Sequence, residues 1–206
     1  LTLYPNVHYI VTKTLAIPEG VTLTIKPGTV LKFKDGSGFN CEGNLVANGT
    51  PDSMIVFTKT DLGLGNISAF KLGKEWSGQK TSYAIIENLN FEFDGFQGGV
   101  FENCIIKYNK VNELIGCLFE IIDYYGLVKC NLLYNQCSYL WGDNFSGSPF
   151  SENINFIGNV IKGSTSTFHR SGKLADIEKS NLMNNYYCQL QLYLSCTNYS
   201  SSINFY

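Results

Sequence analysis

The residues with the most chemical potential in this 206-residue chain are few. His169 and Arg170 are adjacent, with Lys173 close behind, and Arg170 is the single arginine. An imidazole titrates near neutral pH and can relay a proton, and a guanidinium can clamp a carboxylate through paired hydrogen bonds. Glu92 and Glu120, with Asp94 and Asp123 nearby, could supply paired carboxylates for acid/base work. Trp141 and Tyr139, in the segment SYLWGDNFSGSPF, are the best aromatic candidates for stacking on a sugar ring, ahead of Tyr124, Tyr125, Tyr186 and Tyr187. Each has a plainer reading: a solvated turn for His169 and Arg170, isolated surface charges for the carboxylates, core filling for the aromatics. Seven cysteines without a C-x-x-C pair give no zinc or redox motif, so they are expected to be small buried hydrophobes, although pairs such as Cys130 with Cys137 or Cys188 with Cys196 remain open. No metal or cofactor is expected, because aspartate-rich calcium repeats are also absent.

Any such group must be positioned by strands. Charged residues make up 16 % of the chain, while Asn, Ser, Thr, Gly and Tyr supply its polarity, a mixture that favours strands and tight turns. A net charge of −2 gives no basic stripe for nucleic acid, and no apolar run is long enough to span a membrane. The chain opens at Leu1 rather than at a methionine, which is compatible with removal of a leader or an upstream domain.

The stretch Leu15 to Phe33, LAIPEGVTLTIKPGTVLKF, sets the rule. Short β-rich segments end at Ile17, Ile25 and Phe33, separated by Pro/Gly turns, so strand and corner recur every eight residues. Three such steps give a turn of 24 residues. A second repeat begins after Ser82: IENLNFEFD, FENCIIKYN, LVKCNLLYN, SENINFIGN and IEKSNLMNN share one plan, with SSSINFY as a truncated copy. Their anchors are Leu89, Cys104, Cys130, Ile154, Ser180 and Ile203. The spacing predicts a solenoid that points each anchor and the residue two places on into the bore, and stacks Asn109, Asn135, Asn159 and Asn185 in one corner column. A competing helix over Lys173 to Asn185 fits the repeat less well. The expected organisation is one domain over residues 1–206: an N-terminal strand or cap (1–14), first coils (15–58), an irregular loop containing a strand at Ile67 to Leu72 (59–81) and repeat coils (82–206).

LAIPEGVTLTIKPGTVLKF followed by GNLVANGTPDSMIVFT resembles the opening coils of bacterial secreted and cell-surface parallel β-helix proteins of the pectin-lyase-like superfamily. The resemblance implies an all-β, single-stranded right-handed parallel β-helix with about 24 to 26 residues per coil. It implies an extracellular or cell-surface location, and a polysaccharide or a surface protein as partner. It leaves activity open, because that fold hosts lyases, hydrolases, adhesins and spacers. The expected function is a non-enzymatic module that binds carbohydrate or serves as structure. The first alternative is a polysaccharide lyase or glycoside hydrolase using His169, Arg170, Glu92 or Glu120. The second is an adhesin or protein-assembly module with an exposed apolar strip along Ile105, Leu133 and Ile157, in line with Met183, unless a loop over Ser138 to Phe150 covers it.

Overall fold

The structure, a computed structural model, describes residues 1–72, 79–91, 96–97, 100–111, 126–128, 130–137, 141–142, 155–157, 160–161, 166–169, 181–183, 186–187, 190–193 and 204–205. Every strand pairing in it is parallel, and successive strands along the chain belong to different sheets, which makes the molecule a parallel β-solenoid. The first wall runs through Thr2–Leu3, Thr22–Ile25, Asn44–Asn48, Lys80–Ser82, Val100–Glu102 and Gly126–Val128. The second runs from His8–Val11 through Val30–Phe33, Ile55–Lys59, Ala84–Glu87, Ile105–Lys107 and Asn131–Leu133, and on to Asn204–Phe205. The third begins with Thr14–Ile17, Gly38–Cys41 and Ala69–Lys71, and a further sheet starts at Asn66–Ile67 and continues through Asn90–Phe91 and Lys110–Val111.

The corners follow from the Pro/Gly signals. Val21 N–H bonds Pro18 C=O, Thr29 N–H bonds Lys26 C=O and Ser37 N–H bonds Lys34 C=O, three four-residue turns of one kind. In each, the third residue is a glycine with φ between 75° and 80°, the left-handed conformation that this turn requires. Strand alternation then delivers Leu31, Phe33, Phe57, Ile86 and Ile106 to the bore from the second wall, all fully buried. Phe33, Phe39, Phe57 and Phe70 meet there edge to face or tilted, with ring centroids 5.5 to 6.2 Å apart.

The observed register corrects several expectations. Ile17 pairs with Cys41, a 24-residue turn, but Leu15 to Phe33 straddles two turns: Thr14–Ile17 closes the first, in which Thr2–Leu3 and His8–Val11 are already ladder strands. Turn lengths along the second wall are also less uniform than 24 to 26. Phe57 pairs with Ile86 and Ile86 with Ile106, steps of 29 and 20 residues. Residues 60–65, irregular, extend the first of these, while Asn66–Ile67, Ala69–Lys71 and Lys80–Ser82 are strands of the walls. Because the next turn is short, Leu89 lies level with Asn109 rather than with Cys104; the counterpart of Cys104 is Ala84. Leu89, Cys104, Cys130 and Ile106 are nonetheless buried. The expected apolar column also divides: Ile105 is level with Asn131, Asn155 and Asn181, whereas Leu133, Ile157 and Met183 are level with Lys107. Of the stretch Lys173 to Asn185, for which a helix competed, residues Asn181–Met183 form a strand, and 173–180 and 184–185 lie outside the described residues.

Candidate functional site

After each of three successive second-wall strands the chain passes through one residue in the left-handed region: Asn88 (φ 58°), Tyr108 (φ 56°) and Tyr134 (φ 55°). The residue that follows, Leu89, Asn109 or Asn135, re-enters the bore and is buried. The corner residue therefore faces outward. Its N–H bonds the next turn: Asn88 to Lys107 C=O at 3.3 Å, Tyr108 to Leu133 C=O at 3.1 Å, Tyr134 to Ile157 C=O at 2.9 Å. Asparagine adopts this conformation readily, but a bulky side chain there costs about 1–2 kcal/mol.

The consequence is an aromatic pair held on the outside of the solenoid. The Tyr108 and Tyr134 rings stack with centroids 5.6 Å apart and planes 9° from parallel, and each residue is 53 % exposed. Directly beneath them lies a rigid polar base. Asn135 Oδ1 accepts from Asn109 N and Asn109 Nδ2, both at 3.1 Å, while Asn109 Nδ2 and Asn135 Nδ2 donate to Ile86 C=O and Ile106 C=O. These are two rungs of the predicted asparagine column; Asn159 and Asn185 lie outside the described residues.

One side of the pair is charged. Lys107 Nζ lies 5.8 Å from the Tyr108 ring centroid and 3.0 Å from Glu87 Oε2. Lys110, two residues past Tyr108, is exposed. The arrangement offers apolar ring surface and phenolic hydroxyls beside the Glu87–Lys107 ion pair. An exposed aromatic face of this kind can stack on another ring.

The sequence-predicted residues are placed less completely. Glu92, Glu120, Arg170, Lys173 and Tyr139 lie outside the described residues, as do Asp94, Asp123, Tyr124 and Tyr125. His169 ends the strand Ser166–His169 and pairs with Tyr193; Trp141 opens Trp141–Gly142 and pairs with Thr167. Their backbones thus share one three-stranded sheet, formed with Leu190–Tyr193. Tyr186–Tyr187 pairs with Val160–Ile161 in another sheet. Among the described residues no three His, Cys, Asp or Glu side chains gather as metal ligands do. Cys41, Cys104 and Cys130 are buried thiols, and Cys130 Sγ bonds Phe101 C=O at 3.3 Å instead of joining Cys137 in a disulfide.

No family model, curated protein or solved structure matches this chain. The functional reading therefore rests on the chain's own residues. Tyr108 and Tyr134 were not among the sequence candidates, although the signal was present: in FENCIIKYN and LVKCNLLYN a tyrosine stands immediately before each buried asparagine.

Proposed function

We propose that the chain is a non-enzymatic carbohydrate-binding module, extracellular or displayed on a cell surface. We take its solenoid to be a single-domain, single-stranded right-handed β-helix of the pectin-lyase-like kind. The resemblance of LAIPEGVTLTIKPGTVLKF to secreted β-helix proteins supports the location. The observation that carries the binding reading is the exposed, stacked Tyr108 and Tyr134 pair. Aromatic faces attract the apolar C–H faces of sugars, and a pair already fixed by its backbone loses little entropy on binding.

A glycan array followed by titration calorimetry tests this proposal, with lyase and reducing-sugar assays run beside it. Binding that falls on removal of Tyr134 supports it. Turnover in either assay would replace it with the enzyme reading, and no binding to any glycan would sink it.

A second reading has its own observation. On the outer face of the second wall, Val30, Val56, Ile85 and Ile105 are level with one another on four successive strands, an aliphatic column on which polar residues would be expected. Such a column favours protein assembly. Its side chains are largely sheltered, Val30 being the most open at 36 %, so the tyrosine pair carries the stronger argument.

A further inference from the structure

The tyrosine pair has two inner faces and two outer ones, and they are not equivalent. Because the rings lie parallel, 5.6 Å apart, each covers the inner face of the other. A polysaccharide laid along two aromatic residues needs both rings side by side, presenting coplanar faces. Rings stacked face to face cannot do this. The Lys107 ammonium lies over the Tyr108 ring, 5.8 Å from its centroid, and is anchored by Glu87 on the preceding strand, whereas Tyr134 belongs to the following turn. Among the described residues no ring covers the outer face of Tyr134. Its N–H bonds Ile157 C=O on the next strand, and the residue is 53 % exposed.

We infer that the module recognises one pyranose ring at a time, a chain end or a side branch of a glycan, stacked on the outer face of Tyr134 as a third member of the pair. This deepens the carbohydrate reading and rests on it. Tyr134 is the contact residue, and Tyr108 is a positioning residue that holds the Tyr134 ring in its plane. Affinity for a single-ring site is set by one sugar unit and does not grow as the saccharide lengthens.

The test is a titration of the whole chain, followed by NMR, with methyl β-D-glucopyranoside, methyl β-D-galactopyranoside and methyl α-D-mannopyranoside and with the disaccharide and hexasaccharide of each series. For the series that binds, the expected affinity of the hexasaccharide lies within about threefold of the monosaccharide. Tyr134→Ala lowers affinity about tenfold, the equivalent of one lost stacking contact. Tyr134→Phe retains it, and Tyr108→Ala lowers it about threefold. Both tyrosines are exposed, and circular dichroism checks that each variant is folded. Affinity that rises more than about tenfold with chain length, with equal losses for the two alanine variants, overturns the single-ring inference and leaves the carbohydrate reading standing. Silence across every series removes both.

Discussion

Replacing Asn109 by alanine should unfasten the corner on which the tyrosines stand. Asn109 is 1 % exposed, so each group that it satisfies is cut off from water. Its Oδ1 accepts from Leu89 N at 3.0 Å, and its Nδ2 donates to Ile86 C=O at 3.0 Å and to Asn135 Oδ1 at 3.1 Å. Asn135 Oδ1 keeps the backbone N–H of residue 109 in the variant, so that acceptor is not orphaned. The main loss is the buried Leu89 N–H, left without its partner at about 1–3 kcal/mol, plus the bond to Ile86, at about 1 kcal/mol. The expected destabilisation is therefore about 2–4 kcal/mol. Urea unfolding measures the total, and native-state hydrogen exchange at the Leu89 amide localises it; the amide should lose at least about tenfold in protection. Asn109→Asp retains the acceptor but sets an oxygen against Ile86 C=O and Asn135 Oδ1, so it should be no better at neutral pH and should partly recover in acid, where the carboxyl can donate. A loss below about 0.5 kcal/mol for Asn109→Ala, with Leu89 still protected, would refute the role given to the asparagine column.

Gly43 and Gly20 should separate steric crowding from backbone conformation. A Cβ at Gly43 would meet Val21 O at 2.3 Å and Pro18 O at 2.5 Å, both backbone atoms, so Gly43→Ala should cost about 3 kcal/mol. Gly20 has φ +80° but open space around it, and Gly20→Ala should cost only about 1 kcal/mol in urea melts; the reverse ranking would contradict the corner geometry. Asp35 accepts from Leu64 N at 3.0 Å and Asn66 N at 2.9 Å, and these backbone bonds, Leu64 first, hold its carboxyl below the ordinary 3.8. Its folded pKa being depressed, its contribution is present above 3.8 and fades as pH falls through the lowered value. Carboxyl NMR should follow that titration, and amide exchange at Leu64 and Asn66 should rise with it in the native chain but not in Asp35→Asn. Cys104 has its thiol pushed well above 9.0, first by its hydrogen bond with Cys130 and then by burial. Maleimide should leave it unlabelled in the folded protein at pH 8 and label it in urea. Rapid native labelling would place the thiol at the surface instead.

Much of the architecture is legible in the sequence because corners are chemically expensive. Gly20 and Gly28 each occupy a turn position that glycine fills at little cost, and their eight-residue offset gives strand and corner directly. The step from Ile17 to Cys41 confirms the 24-residue turn. Register failed at Leu89 for a local reason. Along Ala84, Ile86 and Leu89, or Cys104, Ile106 and Asn109, inward residues fall two apart and then three apart, because the left-handed residue between them breaks the alternation. A nine-residue motif compared by its apolar positions can therefore slide by five and still place a buried residue on a buried residue. The ladder that sets Ile86 against Ile106, together with the hydrogen bond from Leu89 N to Asn109 Oδ1, fixes the pairing.

The same left-handed residue hid the candidate site. Tyrosine in a repeat reads as core, and nothing in the apolar pattern marks Tyr108 and Tyr134 as the outward members of their turns. Folding alone does not explain why they are tyrosines. Each adopts a conformation costing about 1–2 kcal/mol, their mutual stacking returns only about 0.5–1.5 kcal/mol, and 53 % of each stays in water. The preceding turn meets the same requirement with Asn88, a residue suited to φ 58°. Asparagine at 108 and 134 should then serve the fold better. Tyr108→Asn with Tyr134→Asn is expected to raise stability by about 1 kcal/mol in urea unfolding while abolishing the proposed glycan binding, the exchange of stability for function expected where a local rule is broken at a working surface. If the double variant is instead less stable by more than about 1 kcal/mol, the pair is structural, and the tyrosines belong to the scaffold rather than to a site.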